Sequence, residues 1–473
     1  MGTFISIAYI LLTIAIIYVL LKERRDPAET LAWILVILVI PAAGIICYIL
    51  FGRSWRKSRQ FSYNDDTVTR RLKAICEEQL QEISKPEYAE LMNRNFVTLL
   101  LNNGEAALTL GNRLRILNNG DECFPVMFED LRNARKFIHM EIFGIESGEL
   151  FEQMFAILSD RASHGVEVRV IFDSVGSRAL KIKDVERMKK AGIAAYSYMP
   201  VWLPHFANKF NYRNHRKIVV IDGETGFTGG MNVADRYLHG TKRGVWRDTQ
   251  IRIEGGAVTM LNAVFINDWS FVTRGELLYD RKYFPTPQVK DMLPIQIATS
   301  GPDSPHATIM QAYFAAIGKA RRYIYISTPY LLPNQPIVTA LKVAALSGVD
   351  VRILIPVRGD NIVVAWAGYS NIDTLLDSGV KVYLYRKGFN HSKYFVIDDD
   401  FCSVGSANLD YRSFDTDFEV QAYIYDAGVS RELKGYFLRD LDDSELITRE
   451  NWERRSRVSK IMEPVARLFG RLF

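Results

Sequence analysis

One eight-residue pattern occurs twice along the chain. His215-x-Lys217-x-x-x-x-Asp222 is followed by Gly229-Gly230-Met231-Asn232, and His391-x-Lys393-x-x-x-x-Asp398 by Gly405-Ser406-Ala407-Asn408. The stretches upstream repeat as well. Ala134 to Phe143 reads as a helix end running into a strand. Phe151, Met154, Phe155 and Leu158 then share one helical face, Gly165 to Asp173 alternates as a strand, and another strand follows Gly192. The second half offers the same succession: a strand after Ala320, a helix carrying Ile337 and Leu341, a strand from Gly348 to Pro356 and another from Gly379. A chain that repeats one supersecondary succession is expected to fold as two like units stacked on each other. Strand–helix–strand order points to an α/β fold with a mixed, mostly parallel sheet in each repeat.

The spacing within the pattern carries chemistry. Residues two apart on a strand face the same way, so each histidine projects together with its lysine. The apolar tetrads Ile218–Ile221 and Tyr394–Ile397 continue each strand through a core, and Asp222 and Asp398 end it at a turn. Small residues ahead of Asn232 and Asn408 allow backbone to approach a ligand. Imidazole titrates near neutrality, so one ring can attack phosphorus while the other protonates the leaving oxygen. The lysines and asparagines can hold charge on a pentacoordinate phosphorus without a metal. The candidate catalytic residues are therefore His215, Lys217, Asp222, His391, Lys393 and Asp398, with Asn232 and Asn408 as phosphate-binding groups. The sequence has no nucleotide-binding glycine loop and no evident metal-ligand cluster, so neither cofactor nor metal is expected. Cys47, Cys76, Cys123 and Cys402 are scattered without a C-x-x-C spacing. His139 and His164 lie outside the repeated pattern and read as ordinary residues.

The apolar excess in a chain that is 48% hydrophobic and 24% charged sits at the N-terminus. Phe4 to Leu21 and about Leu31 to Phe51 are each long enough to cross a hydrocarbon core of roughly 30 Å as a helix, which predicts a transmembrane hairpin. A basic leader and a small-residue cleavage site, the marks of a signal peptide, are missing from the first run. Arg53, Arg56, Lys57 and Arg59 after the second run outnumber Lys22, Arg24 and Arg25 in the turn. This places the large domain in the cytoplasm, as part of a multi-pass protein of the cell membrane. The net charge of +5 is too mild to argue for nucleic acid. The expected division is 1–55 hairpin, 56–107 linker, 108–285 and 286–445 the two repeats, and 446–473 an amphipathic basic tail suited to a membrane surface. Val201 to Phe206, apolar and without a counterpart in the second half, reads equally as a lid or a plain loop.

The paired motif with its G-[GS]-x-N sequel resembles the phospholipase D superfamily. Arg25-Asp26-Pro27, Leu31-Ala32-Trp33, Phe51-Gly52-Arg53, Trp246-Arg247-Asp248 and Asp410-x-Arg412-Ser413 bring the resemblance closer to the bacterial cardiolipin synthases, over nearly the whole chain. The resemblance implies two halves about a pseudo-two-fold axis sharing one active site. It also implies a phosphatidyl-enzyme on His215, and transfer between two phosphatidylglycerol molecules to give cardiolipin and glycerol. It makes Glu419 the partner of His391, and alignment of the halves then assigns Asp248 to His215. Hydrolysis of a phosphodiester by the same site is the alternative. The bilayer and its phosphatidylglycerol are the expected partners, with no nucleic acid.

Overall fold

Each apolar tetrad forms the centre of a sheet. Lys217–Ile221 and Tyr394–Ile397 are buried along their whole length, because strands pair on both sides of them. The computed structural model describes residues 2–22, 27–48, 66–88, 93–200, 212–275 and 279–470. They fall into two units: residues 1–59 with 201–212, and the remainder of the chain.

In the larger unit the first repeat is a seven-stranded sheet in the order Asn112–Asn118, Thr249–Gly255, Thr225–Gly229, Lys217–Ile221, Phe137–Ile142, Glu167–Asp173 and Ala194–Tyr198. The second sheet follows the same order through Ile295–Ser300, Glu419–Ile424, Phe401–Gly405, Tyr394–Ile397, Tyr323–Ser327, Asp350–Pro356 and Lys381–Tyr385, with Leu108–Thr109 and Ser444–Leu446 added at its edges. The duplication read from the sequence is thus a duplication of topology. The helices expected over the sheets form as well. Leu150, Phe151, Met154 and Leu158 of Glu149–Ser163 enter one core, and Ile337, Val338 and Leu341 of Gln335–Leu346 enter the other.

Two expectations are corrected. The sheets are mixed but mostly antiparallel: in each repeat only the three strands joined by helical crossovers run parallel. The strands on either side of Asp222–Gly223, and those around Asp398–Asp400, are joined by tight turns, which permit only antiparallel neighbours. The stretch expected as a linker contains helices at Asp66–Ile83 and Arg94–Gly104. Phe96 and Leu100 of the second helix belong to the core of the second repeat.

Within the smaller unit, helix Gly2–Lys22 forms as expected, the second apolar run forms two helices, Pro27–Val39 and Pro41–Cys47, and Ile16, Leu20, Ile37, Ile45 and Tyr48 pack together. Among the described residues, however, no helix is long and apolar enough to cross a membrane, which departs from the transmembrane hairpin expected. Pro41 divides the second apolar run. The 13-residue helix before it reaches only about 20 Å of the roughly 30 Å required. The cationic segment 53–59, the residues 23–26 of the turn and the apolar stretch 201–206 lie outside the described residues.

Asp222 and Asp398, expected among the catalytic groups, stand at the far ends of their strands. Seven residues of extended chain separate Asp222 from His215, a span of about 20 Å. The Asp222 carboxylate accepts the backbone N–H groups of Arg135, Lys136 and Phe137 at 2.7–2.9 Å. Asp398 does the same for Arg321, Arg322 and Tyr323 at 2.8–2.9 Å. Each carboxylate thus ties the start of the neighbouring antiparallel strand to the end of its own, and is corrected from catalytic to structural. Asp222→Ala is expected to lower unfolding free energy by about 2–4 kcal/mol, since it strands three donors. Turnover per folded molecule should stay within a few-fold. Denaturant titration alongside kcat checks this, and a folded variant that has lost turnover by orders of magnitude would return the residue to the chemistry.

Candidate active site

The histidines are placed by backbone hydrogen bonds that cross between the repeats. His215 N donates to Phe418 O at 2.9 Å, and Phe418 N donates to Arg213 O at 2.8 Å. Reciprocally, His391 N donates to Arg247 O at 2.7 Å, and Gly388–Asn390 pairs with Val245–Arg247. Phe418 and Arg247 immediately precede Glu419 and Asp248. Each histidine is therefore stitched beside an acid of the other half, and exchange of the halves reproduces the contacts, as a two-fold relation requires.

The side chains follow. His215 Nδ1 lies 2.9 Å from Glu419 Oε1, and His391 Nδ1 lies 2.7 Å from Asp248 Oδ2. This reverses the expected assignment, in which each acid served the histidine of its own repeat. Both acids are fully buried. Burial pushes Glu419 up, but His215, Lys217 and Ser406 outweigh it and hold the carboxyl at about 2. Burial likewise opposes ionisation of Asp248, and His391 and Lys393 bring its pKa below the ordinary value. With an ionised carboxylate at Nδ1, each imidazole keeps its proton on that nitrogen and leaves the Nε2 lone pair free.

Lys217 and Lys393 are wholly enclosed among the strands. Lys217 Nζ donates to His215 O at 2.6 Å, and Lys393 Nζ donates to His391 O. Lys393 Nζ also stands 2.9 Å from Nδ1 of His391, but that N–H is already given to Asp248. Burial brings Lys217 down to about 7 and Lys393 down to about 8. Burial also lowers both histidines, His391 to about 3 with Lys393 as the next cause. The lysine charges reach across the repeats, Lys393 to His215 and Lys217 to His391.

Asn232 and Asn408 are both buried. Asn232 Oδ1 accepts Gly144 N at 3.0 Å, which leaves its amide N–H near Tyr237 Oη at 3.4 Å. Among the described residues Asn408 Oδ1 is buried with no hydrogen-bond partner, an acceptor left for a donor group. A side chain at Gly230 would meet Asp248 Oδ1 at 2.0 Å, whereas Ser406, its counterpart, donates to Glu419.

Several contributors were not expected at the site, although Trp246 was among the residues that carry the resemblance. Tyr237 Oη donates to Asp248 at 3.2 Å; Phe143 packs edge-on to His215 at 4.8 Å, and the Trp246 ring lies 5.6 Å from His391. Asn214 and Asn390, each just before a histidine, accept Arg216 N and Ser392 N at 3.1 and 3.0 Å and so shape both turns. The identical asparagine before each motif was the available signal. Behind them the halves diverge. Asn390 donates to Ser327 Oγ at 3.1 Å, while Asn214 donates to Glu141, which burial and Asp268 hold well above the usual carboxylate range. His139 stacks on Phe265 in the core, and His164 is exposed.

Two buried rings with free Nε2 atoms, flanked by two cations and two amides, suit in-line displacement at a phosphodiester. Comparison with known proteins agrees. The family described as "Cardiolipin synthase, PLD-like domain" matches residues 127–269 and 313–441, and "Phospholipase_D-nuclease N-terminal" matches residues 10–53. The chain is 40% identical over 471 residues to cardiolipin synthase 2 of Staphylococcus epidermidis, covering 98% of this chain and 96% of that one. It is also 40% identical over 470 residues to cardiolipin synthase of Staphylococcus aureus, covering 98% and 95%. Among solved structures, the phosphatidylserine synthase of Haemophilus influenzae shares the fold. Its TM-score is 0.59 at 15% identity, and the match covers 80% of this chain and 98% of that one. The duplicated sheets and motifs, with these near full-length matches, place the chain in the cardiolipin synthase family of phospholipase D-like enzymes.

Proposed function

We propose that this enzyme transfers a phosphatidyl group from one phosphatidylglycerol molecule to another, releasing glycerol and forming cardiolipin through a phosphohistidine. The observation that carries the reading is the crossed pair of histidine–carboxylate contacts, which gives two oriented rings to a single site. His215 Nε2 attacks phosphorus, with Glu419 stabilising the positive charge that develops on the ring. A phosphodiester between the rings offsets the lysine charges that depress His391, so this ring can take up the proton it delivers to the departing glycerol oxygen. The second phosphatidylglycerol then gives its hydroxyl proton to His391 and its oxygen attacks phosphorus, which frees His215. Lys217, Lys393, Asn232 and Asn408 hold the non-bridging oxygens throughout. One phosphodiester replaces another, so the exchange runs near equilibrium without a nucleotide.

The N-terminal unit is proposed as the membrane anchor, a hairpin that leaves the catalytic unit on the cytoplasmic side. Ile10, Leu11, Ile14, Leu35, Leu38 and Val39 are exposed apolar residues there. A chain beginning at residue 60 should keep activity on detergent-dispersed phosphatidylglycerol and lose most of it on vesicles, since the anchor raises local substrate concentration. Equal activity of both forms on vesicles would dispense with the anchor.

The crossed pairing makes a sharper prediction. With a lipid bearing a good leaving group, His391→Ala should accumulate an acid-labile adduct on His215, because resolution lacks its base. Asp248→Asn should behave like His391→Ala, and Glu419→Gln should suppress the adduct as His215→Ala does. Mass spectrometry reads the outcome, and an adduct on His391 would exchange the roles of the two rings.

The pH profile follows from the lysines. In the free enzyme kcat/KM should fall as pH rises through about 7 to 8, where Lys217 and Lys393 lose the charge that binds phosphate. His391 contributes no inflection at the ordinary histidine value, because burial brings it down to about 3, and burial also lowers His215. A profile flat to pH 9 would contradict this account.

A further inference from the structure

The helix Arg457–Arg467 divides its circumference three ways. Glu463 and Ala466 face the protein; Ala466 packs with Leu332 and Ala367, and Glu463 is held by Arg455 at 3.0 Å, which in turn reaches Asp373 at 2.9 Å. Val458, Ile461 and Val465, with Leu468 and Phe469 in the turn that follows, point outward and are 42–81% exposed. Along one flank of this apolar strip run Arg457, Lys460 and Arg467, all exposed. The neighbouring helix Ile362–Tyr369 adds Ile362, 62% exposed, to the same pair of packed helices.

Such a strip costs free energy in water, and contiguous exposed apolar residues mark a surface meant to be covered. The charge pattern selects the cover. The only acid of the helix is turned inward and neutralised, so the outward surface is apolar and cationic. A second copy seated isologously would bring the same arginines and lysine against their own kind. An anionic bilayer offers hydrocarbon for the strip and phosphate for its flank.

The position of this surface relates it to the chemistry. Leu332, which packs against Ala466, lies in the short strand Leu331–Leu332 that pairs with Leu409–Asp410, immediately after Asn408 of the site. A small cleft lined by Tyr330, Leu331, Val364 and Tyr369 opens between this strand and the helix Ile362–Tyr369.

We propose that the outward face of the C-terminal helix lies in the plane of an anionic phospholipid surface and sets the catalytic unit at headgroup depth, independently of the N-terminal anchor. The proposal rests on the reading that the substrate is an anionic lipid. Its test uses the full chain in vesicles of phosphatidylglycerol or of phosphatidylcholine. Cys47 is the exposed cysteine and the other three are buried, so an environment-sensitive fluorophore can be placed at Leu468→Cys in a Cys47→Ser background. The label should shift to the blue and be quenched by spin-labelled lipid in phosphatidylglycerol vesicles, and much less in phosphatidylcholine. Ile461→Asp with Leu468→Asp should raise KM on phosphatidylglycerol vesicles about ten-fold, with kcat and activity on micellar short-chain phosphatidylglycerol within two-fold of the parent. A label that stays in water in both vesicles, equal insertion in both, or concentration-dependent cross-linking of copies through Leu468→Cys would each overturn the proposal. Absence of transfer on micellar phosphatidylglycerol by the parent chain would instead overturn the catalytic reading, and the fluorescence result would stand apart from it.

Discussion

The rest of the catalytic unit depends on a short piece of backbone exchanged between repeats. A few N–H···O contacts, His215 to Phe418 and Phe418 to Arg213 on one side and His391 to Arg247 on the other, fix where each imidazole sits relative to the acid that follows its backbone partner. Backbone geometry leaves little freedom once these bonds are made. The carboxylates then have one nitrogen within reach, and the tautomer of each ring follows. The buried lysines are tolerated because the same two carboxylates stand nearby, which partly offsets the loss of hydration. Remove the exchange and four ionisable groups are left in a core without compensation.

Electrostatics and fold therefore share one arrangement. Asp222 and Asp398 tie each motif strand to its antiparallel neighbour at one end, while the histidines and lysines stand at the other. The aspartates secure the scaffold about 20 Å from the chemistry, and the crossed acids tune it at contact distance.

How much of this was legible in the sequence differs by the range of the determinant. The histidine–lysine pairs follow from strand periodicity, which acts over two residues, and the sheet topology was visible as a repeated order of elements. The parallel character of the sheets was over-read, because the strand–helix–strand order outweighed the turn chemistry around Gly223. Asp222 and Asp398 were read as catalytic because they share a motif with His215 and His391, although extended chain carries them away. Glu419 and Asp248 were identified, yet their partners were exchanged. Alignment of one half on the other pairs each acid with its own repeat, and only the packing of the two halves reverses that. Phe143, Tyr237 and Trp246 reach the site from loops and short elements whose positions depend on that same packing. Glu141 was invisible for a further reason: its counterpart is Ser327, so the repeat gave no echo of it.

The crossed contacts also bear on how such a chain can arise. Neither half contains a histidine together with its own carboxylate partner, so a single repeat is chemically incomplete. It could complete a site only by isologous pairing with an identical copy, which supplies the missing acid and receives one in return. Joining two copies in one polypeptide replaces that association with an intramolecular contact of high effective concentration. It also releases the halves from identity. Arg216 beside Asp268 in one half and Ser392 in the other are differences that a symmetric pair of separate subunits could not carry. A symmetric ancestor would have to use its two rings interchangeably; a fused chain can dedicate each to one half of the reaction.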